Sequence, residues 1–369
     1  MITTNPNKTM FLRYILVNFL DEQYRLAEEL LLELLHIYSP SGQEEAIVKY
    51  LMDLLVDRGI DASMVHVSGK SYNVIINDVP SPDILITTHV DTIDFYFSPR
   101  IISDHEISGV GACDAKGSIV SILLMLIDMK NLPKSISIAF FSDEECGGSG
   151  SIAYLREHTP KNALIMEPTN LQICVGGYGS IEGIITIKTR KLHPSISHQH
   201  LSEHSILKTI HIIDDLIQII SKSGAKMTIY SINAGNMEQF IVPDTCEVAF
   251  DIAIPIDKNP SDLLKTLLEL SKKMDFEISI NDYSNPFVTT DSAFLDKLRS
   301  SYISTFNREP KFTHMVSWTD ANNFASMNIP VAIFGPGDLY YAHSEQEKIN
   351  IKDIILAAKY LKNLIKRYF

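Results

Sequence analysis

Seven residues of the 369-residue chain combine acid, base or metal-ligating chemistry with a shared position beyond short apolar runs. His89 and Asp91 follow the run 83–88 (DILITT), Glu144 and Glu145 follow 135–141 (SISIAFF), and Glu167 follows 163–166 (ALIM). Asp114 sits in the stretch 111–117 (GACDAKG) that opens an apolar helical segment, and His343 lies beyond the run 331–335 (VAIFG). Two neutral imidazoles with several carboxylates suit a borderline divalent cation, zinc above all. Carboxylates crowded without cations repel one another and raise one another's pKa values, a conflict that metal ions remove. Five ligands hold two ions if one carboxylate bridges, and a carboxylate left outside the ligand set is free to act as a base on an activated water. Singly, each feature has a plainer reading. A His-x-Asp pair is often a hydrogen-bonded turn, and adjacent glutamates are often a solvated loop or a helix N-terminus. Their common position at the ends of strands favours the functional reading.

The elements that must position these residues alternate along the chain. Residues 72–76 (YNVII), 83–88, 135–141 and 163–166 read as strands. Residues 23–37, 117–129 and 149–157 read as helices, the first with Ala27, Leu30, Leu31, Leu34 and Leu35 on one face. The expected fold class is α/β, a mainly parallel sheet with helices on both faces. The carboxyl ends of such strands lie along one rim, where ligands bind. Ser41 with Glu44 reads as a capping box opening a helix that carries Ile47, Tyr50, Leu51, Leu54 and Leu55. Residues 180–281 change the order: strands at 181–189, 226–232, 246–253 and 276–280, with helices at 202–221 and 260–274, give the β-α-β-β-α-β series of a ferredoxin-like α+β layer. We expect an inserted domain at 178–286 between catalytic segments 1–177 and 287–369, the latter with helices near 291–306 and 351–367.

Composition narrows the function. Hydrophobic residues at 45% and charged residues at 21% are ordinary for a globular protein. The net charge of −13 argues against nucleic acid or an anionic membrane as a partner. Cys113, Cys146, Cys174 and Cys246 form no CxxC pair, which argues against a zinc ribbon or a disulfide scaffold and fits a reducing cytoplasm. Residues 1–20 lack the basic start and small-residue cleavage site of a secretory leader and read as a loosely attached extension. Nothing in the sequence reads as a membrane span.

The ordered stretches 88–92 (THVDT), 109–117 (GVGACDAKG), 142–151 (SDEECGGSGS), 166–170 (MEPTN) and 335–349 (GPGDLYYAHSEQEKI) resemble the motifs of the M20 family of dinuclear metallopeptidases and deacylases. The resemblance extends over residues 25–369. Residues 38–45 (YSPSGQEE) and the AHSEQEKI close most resemble the N-acetyl-lysine and N-acetyl-ornithine deacetylase branch. That branch includes enzymes releasing lysine or ornithine from a small acidic amino-group carrier protein. The resemblance implies a zinc-exopeptidase-like catalytic fold holding two Zn²⁺ per chain, with Co²⁺ able to substitute. It implies His89 and Glu167 as ligands of one metal, Glu145 and His343 as ligands of the other, and Asp114 as the bridging carboxylate. Glu144 corresponds to the general base, and Asp91 to the carboxylate that orients the His89 imidazole. The inserted domain corresponds to a lid that also forms a homodimer. Its His193, in 191–195 (KLHPS), would reach the partner's site to steady an oxyanion. His198, His200 and His204 read instead as a polar loop. Tyr178, Asp320 and Gly337 fall at substrate-binding positions.

The chain also departs from the family pattern. Residues 177–180 (GYGS) lack a basic residue, and Ala253 stands where an Arg commonly ends the lid strand. Gln239-Phe240-Ile241 displaces an Asn before Val242-Pro243, and Trp318 breaks the usual Gly-Thr-Ser-Asp at 317–320. A lost Arg removes a bidentate clamp for a substrate carboxylate. The expected activity is metal-dependent hydrolysis of an N-acyl amino acid of the N-acetyl-lysine or N-acetyl-ornithine type, the substrate being a small molecule or carrier-linked. A dipeptidase or carboxypeptidase on the same scaffold is one alternative. A metal-containing binding protein without catalysis is another, and the intact Glu144 argues against it.

Overall fold

The computed structural model describes residues 22–369, so the expected extension at 1–20 lies outside the described residues. The chain divides into two compact units. The first runs to Val175 and takes in Thr289–Thr313 and Thr319–Phe369; the second is Gly176–Val288 with His314–Trp318.

In the first unit the centre of the sheet is parallel. Its strands run in the spatial order Ile136–Phe141, Ile84–His89, Ala163–Ile165, Val331–Ile333. Every residue of Ile84–His89 and Ile136–Phe141 is buried, as a strand covered on both faces requires. Helix Gly117–Met129 is buried all round from Gly117 to Leu126, which matches its continuous apolar run. It shares one core with the helix at 22–36, helix Glu45–Asp57 and helix Ile351–Tyr368, through Leu31, Leu34, Ile47, Leu51, Ile119, Leu123, Ile354 and Leu361.

Antiparallel strands flank this parallel centre. The hairpin Ala62–Ser68/Ser71–Ile76 adds to one side, and Ile173–Gly177 pairs antiparallel with Val331–Ile333 on the other. Strand Ala62–Ser68 escapes the sequence reading because its residues are exposed or half-buried without a clean alternation. A small separate sheet pairs Arg100–Ser103 with Glu106–Ser108, and Glu106–Ser108 with Lys348–Asn350. It ties the segment after His343 to the segment before Asp114.

The capping box is not formed. Helix Glu45–Asp57 has Glu44 as its N-cap with no side-chain cap bond. Ser41 Oγ instead donates to Asp91 Oδ2 at 2.7 Å, and Glu44 accepts N–H bonds from Gly42 (2.9 Å) and Asp143 (3.2 Å) and an O–H bond from Ser71 (2.9 Å). Tertiary demand for buried acceptors has overridden a local capping signal.

The second unit is a four-stranded antiparallel sheet in the order Lys226–Ala234, Thr245–Ile254, Gly179–Lys188, Glu277–Ser284. Helices Ser205–Lys222 and Pro260–Met274 complete the expected β-α-β-β-α-β series. Ile181, Ile185 and Ile187 alternate inward to meet Leu216, Ile220, Leu263 and Leu267. Among the described residues no helix is long and apolar enough to cross a membrane.

Ile86 is fully buried on a central strand. Ile86→Ala should lower the stability of the first unit by roughly 2–5 kcal/mol, read as a lower denaturant midpoint with an unchanged slope.

Candidate metal centre

The parallel strands place the chemistry at their carboxyl ends. His89 ends strand Ile84–His89, Glu144 and Glu145 follow strand Ile136–Phe141, and Glu167 follows Ala163–Ile165. Asp114 occupies a distorted turn, Ala112–Lys116, with φ −126° and ψ 87° at Asp114. His343 lies on the loop after Leu339–Tyr341. Asp143 (φ 64°) and His343 (φ 57°) both hold left-handed backbone, a strain that recurs at functional sites.

Asp114 joins the two imidazoles. His89 Nε2 lies 3.1 Å from Asp114 Oδ1, and His343 Nε2 lies 3.5 Å from Asp114 Oδ2. Glu167 Oε2 is 3.9 Å from His89 Nε2, and Glu145 Oε1 is 2.9 Å from His343 Nε2. Ligand atoms within 4.8 Å of one another form three groups: His89–Asp114–Glu167, Asp114–Glu145–His343, and His89–Glu144–Glu145. The first two share Asp114 and contain all five residues expected to hold metal.

Asp91 has two functions in the geometry. Its main-chain carbonyl lies 3.0 Å from His89 Nδ1 and its carboxylate 3.4 Å away, which keeps the Nδ1 proton there and leaves Nε2 facing the carboxylates. The Asp91 carboxylate accepts the main-chain N–H of Glu144 (3.1 Å) and of Glu145 (3.0 Å). Glu44 extends this support by accepting from Asp143. Glu347, buried and absent from the sequence reading, accepts the N–H groups of Gly111, Cys113 and Asp114. It stands in the polar run 344–348 (SEQEK), where every residue looks solvated; its place inside the closing motif is the only signal available.

The charge balance demands cations. Burial pushes the Glu144 and Glu167 carboxyls well above their ordinary range; repulsion from Glu167 adds at Glu144 and from Asp114 at Glu167. Burial would depress His89, but hydrogen bonds to Asp114 and Asp91 hold its pKa well above normal. The bond to Glu145 raises His343 to about 9. Glu167 Oε1 is buried with no hydrogen-bond partner. An orphaned carboxylate oxygen grouped with the His89 imidazole and the Asp114 carboxylate fits a divalent cation, and the nitrogen and oxygen donor set suits zinc or a neighbouring transition ion.

The remaining expected residues fall in both units. In the first, Asp320 is buried, bonded to Ser151 Oγ, and raised by burial to about 7. Gly337 has φ +89°, and a Cβ there would lie 2.5 Å from Cys113 Cβ, so its glycine identity serves close packing on the Asp114 turn. In the second unit Tyr178 and Trp318 line a cavity of about 410 Å³ with Glu182, Lys226, Asp251 and Ala253. Asp251 sits directly across from Glu182, and burial, then that neighbour, raise it to about 6. His193 is exposed, and its Nδ1 accepts the Ser195 N–H at 3.2 Å as a helix cap. His200 pairs with Glu203, and His204 caps helix Ser205–Lys222.

The profile of peptidase family M20/M25/M40 matches residues 85–367, and the chain belongs to that family. It is a metal-dependent amide hydrolase. It is similar to the [LysW]-lysine/[LysW]-ornithine hydrolase of Saccharolobus islandicus, at 26% identity over 335 residues covering 90% of this chain and 93% of that one. Its fold is similar to that of an M20 family metallo-carboxypeptidase from Sulfolobus solfataricus, with a TM-score of 0.74, 18% identity, and coverage of 93% and 99% of the two chains. A dinuclear metal-binding M20 peptidase from Bacillus subtilis shares the fold with a TM-score of 0.65 at 14% identity, over 94% of this chain and 98% of that one.

The raised groups set a sign for pH dependence. A carboxyl or imidazole whose pKa is higher in the folded state stabilises fully below its unfolded value and loses that contribution as pH rises through the folded one. For Asp320 the window runs from its ordinary 3.8 to about 7, and for His343 from 6.5 to about 9. Metal-free protein should therefore lose thermal stability steadily from about pH 5 to pH 9, and the stabilisation given by added Zn²⁺ should grow over the same range. A metal-free melting temperature that rises across this window would contradict the charge account.

Proposed function

We propose that the chain hydrolyses the amide bond of a lysine- or ornithine-type N-acyl amino acid, presented free or on a carrier protein, with two zinc ions per chain. His89 and Glu167 would hold one ion, Glu145 and His343 the other, and Asp114 both; when bound they supply an acidified water and a Lewis acid for the scissile carbonyl. Glu144 takes the proton from the attacking water and returns it to the leaving amine. The observation that carries this reading is the placement of Glu144. It is buried beside a five-ligand set that is complete without it. Its strongly raised pKa without cations is what nearby positive charge would bring down toward a useful range.

The substrate class rests on two supports. The similarity to a carrier-linked lysine/ornithine hydrolase spans nearly the whole of both chains. The cavity of the second unit is lined by Glu182, Asp251 and Lys226, with Ala253 at the position where an arginine is expected. Two acids against Lys226 leave this lining net negative, which opposes a substrate carboxylate and favours an ammonium group. The same reading places the enzyme in the cytoplasm as a homodimer formed through the second unit, with His193 serving the partner's site.

Glu144→Gln should reduce kcat by roughly two to four orders of magnitude while metal content stays near two ions per chain. Loss of one metal equivalent would exchange the roles of Glu144 and Glu145. On a substrate panel, N-acyl-lysine and N-acyl-ornithine should exceed neutral and acidic analogues in kcat/KM. Mixing His193→Ala with Glu144→Gln subunits should restore roughly a quarter of wild-type activity through one complete site per mixed dimer. A mixture as inactive as its parents would remove His193 from the mechanism.

A further inference from the structure

We propose that Glu347 is a positioning residue that sets the angle of Asp114 between the two metals, an inference resting on the dinuclear reading above. The three N–H groups of Gly111, Cys113 and Asp114 converge on this one carboxylate: Gly111 donates to Oε2 at 3.0 Å, and Cys113 and Asp114 to Oε1 at 3.1 and 3.2 Å. The Cys113 thiol approaches Oε1 at 3.5 Å. Successive amides gathered around an anion make a rigid concave nest, here with the anion supplied by the protein. Two further amides of the turn are used elsewhere: Ala112 donates to the Gly109 carbonyl and Lys116 to that of Gly111. The turn's backbone orientation is thereby held by the Glu347 carboxylate together with a single π-type turn closed by the Lys116 and Gly117 N–H groups.

Glu347 is itself immobilised. Its carbonyl accepts from Ser108 Oγ at 2.8 Å and from the Gly109 N–H at 3.2 Å, and its N–H donates to the Ser344 carbonyl at 3.1 Å. The next residue opens strand Lys348–Asn350, paired with Glu106–Ser108. Glu347 stands four residues after His343, so one side chain fixes the loop of one ligand relative to the turn of another. Asp114 must present Oδ1 toward His89 and Oδ2 toward His343 simultaneously. A small rotation of the turn would sacrifice one of the two approaches.

A purely structural peg has no need of charge. A second buried carboxylate beside Asp114 adds repulsion to a crowded site, and an amide would satisfy at most part of the nest, because its NH₂ would oppose an N–H. When ionised, the Glu347 carboxylate receives three charge-assisted bonds in a fixed arc.

The test is Zn²⁺ affinity, measured by competition with a chromophoric chelator on wild type and Glu347→Gln, together with the Co²⁺ absorption spectrum and the thermal unfolding of both metal-free proteins. The expected result is metal affinity weakened roughly tenfold to hundredfold, as for loss of an outer-shell partner, an altered Co²⁺ spectrum, and unfolding of the metal-free variant close to wild type. Unchanged affinity and spectrum in the variant would overturn the proposal. If metal-free Glu347→Gln does not fold, Glu347→Asp is measured in its place; wild-type affinity there overturns it equally. Wild-type protein that takes up no metal would defeat the dinuclear reading instead.

Discussion

The crowding of anionic charge at the rim of a parallel sheet governs this structure. Asp91, Asp114, Glu144, Glu145, Glu167 and Asp320 are gathered near two imidazoles, most of them almost wholly removed from water. Such a cluster is stable only if every carboxylate has a donor or a cation, since an uncompensated buried charge costs several kcal/mol. The fold supplies donors in two tiers. Three carboxylates outside the proposed ligand set are bonded to main-chain amides: Asp91 to Glu144 and Glu145, Glu44 to Asp143, and Glu347 to the Asp114 turn; Asp320 takes its donor from Ser151 Oγ. The proposed ligands face inward, and in Glu167 one oxygen is left without a partner. The support tier fixes the backbone, and the inner tier is left to be completed by positive charge.

This division explains what could be read from the chain. The seven chemical residues stand directly after strands or in loops anchored to them, and a parallel sheet places such positions on one rim whatever lies between them in sequence. His89, Glu144 and Glu167 were visible for that reason, as was helix Gly117–Met129, whose unbroken apolar run has no alternative partner but the core. Of the amide-bonded supporting acids only Asp91 was; Glu44 and Glu347 were not. Ser41 and Glu44 carry a local capping pattern, yet both side chains serve contacts distant in sequence. Glu347 is one of several polar residues in a row, and only the folded chain shows that it is buried while its neighbour Glu345 is exposed. Strand Ala62–Ser68 carries no burial signal of its own, because it is an edge paired on one side.

The second unit shows why family-level inference stops short of substrate. Its sheet and helices follow from ordinary alternation, but Ala253 and Trp318 alter positions expected to grip a carboxylate, and Glu182 faces Asp251 across neighbouring strands. Like charges directly opposed on a sheet are destabilising in isolation. With Lys226 the only cation among the described residues lining the cavity beside them, the pair leaves a net negative lining that fits the proposed preference for a cationic side chain.

The central claim is that the carboxylate cluster is completed by two divalent cations that together switch on amide hydrolysis. The most direct measurement is calorimetric titration of chelator-treated protein with Zn²⁺, followed at each step by release of lysine from an N-acyl-lysine substrate. The account predicts two equivalents bound per chain, with turnover appearing as the sites fill. Saturation at one equivalent or fewer by a folded protein, or turnover undiminished after removal of all metal, would contradict it.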